Sequence, residues 1–134
     1  MLGFLKKNKK PKKEFSREEL KWNRMWDLWV EGKVPSPYSE LMSYQSEVNN
    51  GGHYQYFLNS ENIGDVTEAI LALSEILPVK IKENLDEAYK AYLQLEKDEN
   101  IENAEAVLET CDGIFFQNEQ EITDILEKYC GNNY

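Results

Sequence analysis

His53 is the only histidine in this 134-residue chain, and so the only side chain whose ordinary pKa places it between charged and neutral at physiological pH. It stands in the run Asn50-Gly51-Gly52-His53-Tyr54-Gln55-Tyr56-Phe57-Leu58-Asn59. A general base needs a nucleophile or an orienting acid held within hydrogen-bond reach. No Ser, Cys or carboxylate stands beside His53 at a recognisable spacing, so we expect a partly exposed structural residue and not a catalytic base. The rest of the run is glycine, amide, aromatic and leucine, none of which titrates near neutrality. No P-loop, Gly-x-Ser-x-Gly or His-Glu-x-x-His segment occurs. Cys111 and Cys130 are the only thiols. With no CxxC and no Cys/His cluster they make zinc improbable, and both fall at apolar helix positions, where a reduced cysteine acts as a small core residue. We expect no catalytic, cofactor-binding or metal-ligating residue.

Charge is the other chemistry available, and it is unevenly placed. Residues 1–33 hold ten Lys/Arg and five Asp/Glu, whereas residues 34–134 hold five Lys and twenty Asp/Glu, so segments of +5 and −15 give the overall −10. An acidic body of this kind repels nucleic acid and membrane surfaces and attracts basic proteins. Asp98, Glu102, Glu105 and Glu109 form the clearest stripe, opposite an apolar face of Ile101, Ala104, Leu108 and Cys111. The stripe puts four carboxylates over about 16 Å of helix. Further acids stand at Glu61, Asp65 and Glu68, at Glu83, Asp86 and Glu87, and at Glu119, Glu121, Asp124 and Glu127.

The elements that position these groups read as helices throughout, with almost no period-2 alternation. Lys6–Lys13 holds six lysines in eight residues and reads as a basic flexible tail, with the tail spanning residues 1–14 and an all-α domain spanning 15–134. The tail has three readings: a solubilising arm, a weak contact with an anionic membrane through Phe4 and Leu5, or an arm folded back on the acidic body. Ser16 with Glu19 makes a capping box for a first helix. Leu20, Met25 and Leu28 follow, with Trp22, Trp26 and Trp29 on one face, and Gly32 ends it. Pro35-Ser36-Pro37 breaks the chain. A second helix over Tyr38–Asn49 ends at the two glycines, with Asn50 as its cap. A short helix follows from His53, with Tyr54, Phe57 and Leu58 inward and Gln55 and Asn59 bonding neighbouring backbone. Asp65 caps a helix carrying Ile70, Leu71, Leu73 and Leu77. Further helices are expected over 79–97, 101–111 and 118–129, the last ending at Gly131. The fold class is all-α, a compact single-domain bundle of six or seven helices. Met1–Leu5 is too short an apolar run for a signal peptide, and no stretch approaches the about 18 apolar residues of a membrane span, so the expected location is the cytoplasm.

The segment from Glu47 through Asn50, Gly51, Gly52, Gln55, Tyr56 and Phe57 to Asn59 resembles the signature of an all-α bacterial family typified by a DNA-mimic protein, roughly E-x-x-N-G-G-F-x-Q-[FY]-[FY]-x-N. Ala69–Leu73 follows at the expected distance. Leu108, Asp112, Phe115 and Phe116 are similar to that family's L-x-x-x-D-x-x-F-F turn before its last helix. The resemblance covers about residues 17 to 131, and His53 departs from the family's usual Phe. Many such domains have no assigned function; the best-described type is an acidic dimer that occupies the DNA site of a transcription factor. The resemblance thus implies a non-enzymatic partner of a basic DNA-binding regulator, acting as a homodimer and binding no nucleic acid itself. An immunity or antitoxin-type protein that caps a toxin fits the same surface. A small-molecule or membrane-proximal module using the Asn50–Asn59 corner or the lysine tail is the third alternative.

Overall fold

The computed structural model describes residues 14–134; the expected basic tail, apart from Glu14, lies outside them. Five helices make up the described chain: α1 (Arg17–Val30), α2 (Tyr38–Ile63), α3 (Val66–Ser74), α4 (Val79–Glu96) and α5 (Ile101–Asn133). The all-α expectation holds, but the count is five and not six or seven. Both departures arise where a sequence break is bridged by packing.

The first bridge is α5. The expected helices over 101–111 and 118–129 are one 33-residue helix, and the Asp112–Phe116 turn does not exist. Ala104, Leu108, Cys111, Phe115, Ile122, Leu126 and Tyr129 are all buried along it. Their spacing keeps one helical face inward without interruption, and this outweighs the roughly 1 kcal/mol that Gly113 costs relative to alanine inside a helix. Gly131 likewise lies within the last turn. The second bridge is α2, two helical halves that meet in a kink at Gly51 (φ −157°, ψ 20°) and Gly52 (φ 77°, ψ −178°). The two halves are the helices expected on either side of the glycines.

Local capping follows the residues. The Ser16 hydroxyl accepts from Glu19 N at 3.1 Å and Ser16 N donates to Glu19 Oε1 at 3.3 Å, which completes the capping box. Gly32, at φ 74°, closes α1 as Lys33 N donates to Leu28 O and Gly32 N to Trp29 O, a Schellman ending. Asp65 caps α3 by accepting from Thr67 N at 2.8 Å.

α5 lies along α4 and α2, touches α1, and leaves α3 to pack between α2 and α4. Fully buried aromatics Tyr44, Tyr56, Phe57, Tyr92 and Phe115 fill the centre. Trp22, Trp26 and Trp29 stack edge to face at 6.1 and 5.3 Å and pack half-buried on the core, as a core stripe should. Leu20 and Leu71 are exposed. Cys111 and Cys130 are buried free thiols. No helix among the described residues is long and apolar enough to cross a membrane.

Candidate functional site

The bend in α2 creates a helix N-terminus inside the molecule. Its first amides have no carbonyl one turn earlier to bond, and the cap comes from another helix. Asp112 Oδ1 accepts from His53 N at 2.8 Å and lies 2.7 Å from His53 Nδ1. A carboxylate is also favoured at this positive end of the helix dipole. On the other side of the ring, His53 Nε2 lies 2.7 Å from the Tyr44 hydroxyl. A carboxylate only accepts, so Nδ1 donates to Asp112, and a neutral imidazole then leaves Nε2 to accept from the Tyr44 hydroxyl.

His53 is therefore not the partly exposed substitute expected. Its relative exposure is 0%, with Tyr44, Phe57 and Phe115 around its ring. It occupies an aromatic's place and adds two polar bonds. The acid beside it comes from 59 positions along the chain, a spacing that no local pattern marks. Burial pushes the Tyr44 phenol well above its ordinary 10, so the hydroxyl keeps its proton for His53. Both ring nitrogens are engaged with protein groups, which makes the Tyr44–His53–Asp112 chain an orienting device.

Gly52 lets that chain close. Its backbone lies in a region open essentially to glycine alone, and a Cβ there would sit 2.5 Å from Asp112 Oδ2. On Gly51 a Cβ would collide with the Gln55 side chain. Across the same bend, Glu47 Oε2 accepts from Gln55 Nε2 at 2.9 Å and from Asn59 Nδ2 at 2.8 Å. The two amides thus bond a carboxylate on the other half of α2 and not neighbouring backbone. Nearby, Glu119 of α5 accepts from Gln45 at 3.2 Å and from Asn49 at 2.5 Å. Tyr56 and Phe57 supply the inward face, whereas Tyr54 and Leu58, expected inward, are 41% and 39% exposed. Asn50, the residue before the non-helical Gly51, is exposed and forms no side-chain hydrogen bond among the described residues.

A family model described as DMP19-like protein matches residues 39–133. The chain belongs to this family. The match runs from the start of α2 to the end of α5, leaving α1 outside it, and it is the DNA-mimic family that the glycine corner resembles. No curated protein and no solved structure matches the chain. Every residue of the signature except Asn50 has a visible task in this family member. Glu47, Gln55 and Asn59 tie the two halves of α2 together, Gly51 and Gly52 make the bend, and Tyr56 and Phe57 seat it in the core.

The acid stripe is reached from the same corner. Glu102, Glu105 and Glu109 are exposed on α5. Asp98 is exposed too, but it sits in the turn before α5, at φ 54°, and not on the helix. None of the four pairs with a cation among the described residues, whereas on α4 Lys82 pairs with Asp86 and Lys90 with Glu87. A groove of about 480 Å³ runs between Tyr54 of α2, Leu95 of α4 and the α5 residues Ile101, Glu105, Leu108, Glu109 and Asp112, with Asp98 at its end. Asp112 was noticed in the sequence only as part of a turn. Its pairing with the residue after the two glycines had no local signal.

Proposed function

We propose that this protein is a non-enzymatic interaction domain whose acidic exterior takes the place of DNA in the binding site of a basic DNA-binding regulator. The observation that carries this reading is the distribution of carboxylates. No Asp or Glu among the described residues is buried, and most of the twenty acids in residues 34–134 are exposed. The continuity of α5 adds length: 33 residues make a ruler of about 50 Å at 1.5 Å per residue. Eight acids and one lysine lie along it, still several-fold sparser than the duplex. The α4 acids Glu83, Asp86 and Glu87, or a second copy of the chain, would supply the rest. Membership of a family typified by a DNA mimic supports the same reading. The stripe Asp98, Glu102, Glu105 and Glu109 is the proposed contact surface.

The test is affinity purification from the protein's own cells at low and high salt, followed by competition with duplex DNA. The expected result is a basic DNA-binding protein, released by salt and displaced by its own duplex, because contacts between dense opposite charges weaken steeply with ionic strength. Recovery of only neutral or acidic partners, indifferent to salt, would falsify the proposal. A toxin as the partner, not displaced by DNA, would replace it with the immunity-protein alternative.

A further inference from the structure

The acidic exterior includes one place where charge and apolar surface meet in a depression, the groove beside Asp112. Tyr54 is 41% and Ile101 44% exposed there, and Leu108 lines the floor. Glu105 and Glu109, four residues apart, project from one face of α5 into it. Asp112 differs from these surface acids. Both of its hydrogen bonds fall on Oδ1 and go to the buried His53, which holds the carboxylate in a single orientation. Oδ2 accepts no hydrogen bond among the described residues, and the side chain is 30% exposed.

The geometry points to this groove as a docking site for an arginine-bearing apolar segment of the partner protein. Its role presupposes that the acidic exterior is the working surface. A guanidinium is planar, stacks on an aromatic face and presents forked donors to carboxylates, and a lysine ammonium does none of these as well. Tyr54 supplies the aromatic face, the three carboxylates supply acceptors, and Ile101 and Leu108 receive the apolar neighbours. A carboxylate oriented in advance spends less of the binding energy on ordering.

The lysine-rich segment Lys6–Lys13 contains no arginine, so it lacks the forked donors that suit this groove.

Fluorescence anisotropy tests the assignment, with a labelled synthetic peptide of about 12 residues, three helical turns, carrying arginine and leucine at helical spacing. The full-length chain is the titrant at low salt. The double substitution E105Q/E109Q is expected to weaken binding at least about tenfold and Tyr54→Ser at least about fivefold. E121Q/D124Q removes the same charge farther along α5 and is expected to change it less than about twofold. All these positions are exposed, and circular dichroism checks that each variant is folded. A lysine-for-arginine version of the peptide is expected to bind more weakly. Equal losses from the two double variants would overturn the groove and leave the acidic-interaction reading standing. Equal binding of the lysine peptide would overturn the arginine assignment. No binding at low salt would overturn both readings.

Discussion

Asp112 on α5 holds both the imidazole and the backbone amide of His53 on one carboxylate oxygen, at 2.7 and 2.8 Å. A side chain from the longest helix thereby caps the helix half that starts after the Gly51–Gly52 bend. Asp112→Ala strands two donors at a buried site, and leaving buried polar groups unpaired costs about 2–4 kcal/mol in all. Urea unfolding measures this from the midpoint at constant slope. A variant as stable as the parent would mean that the clasp does not hold the bend.

His53→Phe tests the other half of the chain. Phenylalanine keeps the ring contacts with Phe57 and Phe115 but offers no acceptor to the Tyr44 hydroxyl, which is fully buried. The expected loss is about 1–3 kcal/mol. Adding Tyr44→Phe removes the stranded hydroxyl, so the double variant is expected to be more stable than His53→Phe alone. Additive losses in this cycle would show that the two side chains are not coupled.

Gly52 and Gly32 share a positive φ, 77° and 74°, but differ in surroundings. A Cβ on Gly32 meets nothing within 4 Å, whereas one on Gly52 sits 2.5 Å from Asp112 Oδ2. Gly32→Ala is expected to cost about 1 kcal/mol from the left-handed backbone alone. Gly52→Ala adds a steric conflict and the loss of the Asp112 bonds, and is expected to exceed it by at least about 2 kcal/mol. Thermal melts of the two variants compare them directly, and similar shifts would reject the steric account.

The Asp65 cap predicts a pH dependence. Its carboxyl is held below the ordinary 3.8, first by the Thr67 hydroxyl and then by the Thr67 backbone N–H. A folded value below the unfolded one means that the stabilisation is present in full above the unfolded value and disappears as pH falls through the folded one. The Tm gap between the parent and Asp65→Ala is therefore expected to be constant from neutrality down to about pH 5 and to narrow below about pH 4. A gap unchanged at the lowest pH would show that the carboxylate charge is irrelevant to the cap.

Both thiols should be silent in the native state. Cys111 and Cys130 are 3% and 4% exposed, and burial pushes the Cys111 thiol up to about 11, where little reactive thiolate exists at neutral pH. A thiol reagent such as DTNB is expected to label neither residue before denaturation and both after it. Prompt native labelling of either would contradict the burial.

Several features were legible in the chain because their causes act within about one helical turn. The Ser16 and Asp65 caps, the Gly32 ending, the bend at Gly51–Gly52 and the tryptophan face of α1 all depend on near neighbours. The all-α class follows from the same periodicity, and the signature from Asn50 to Asn59 pointed to the family. Tertiary packing decided the rest. An apolar face that runs unbroken past Gly113 joins two expected helices into α5. Packing also buried His53 by setting Asp112 against it, and it turned Glu47 back onto Gln55 and Asn59 across the bend. A buried polar group must find a partner somewhere, but which one it finds depends on how helices far apart in sequence come to lie side by side, and no local pattern of residues encodes that.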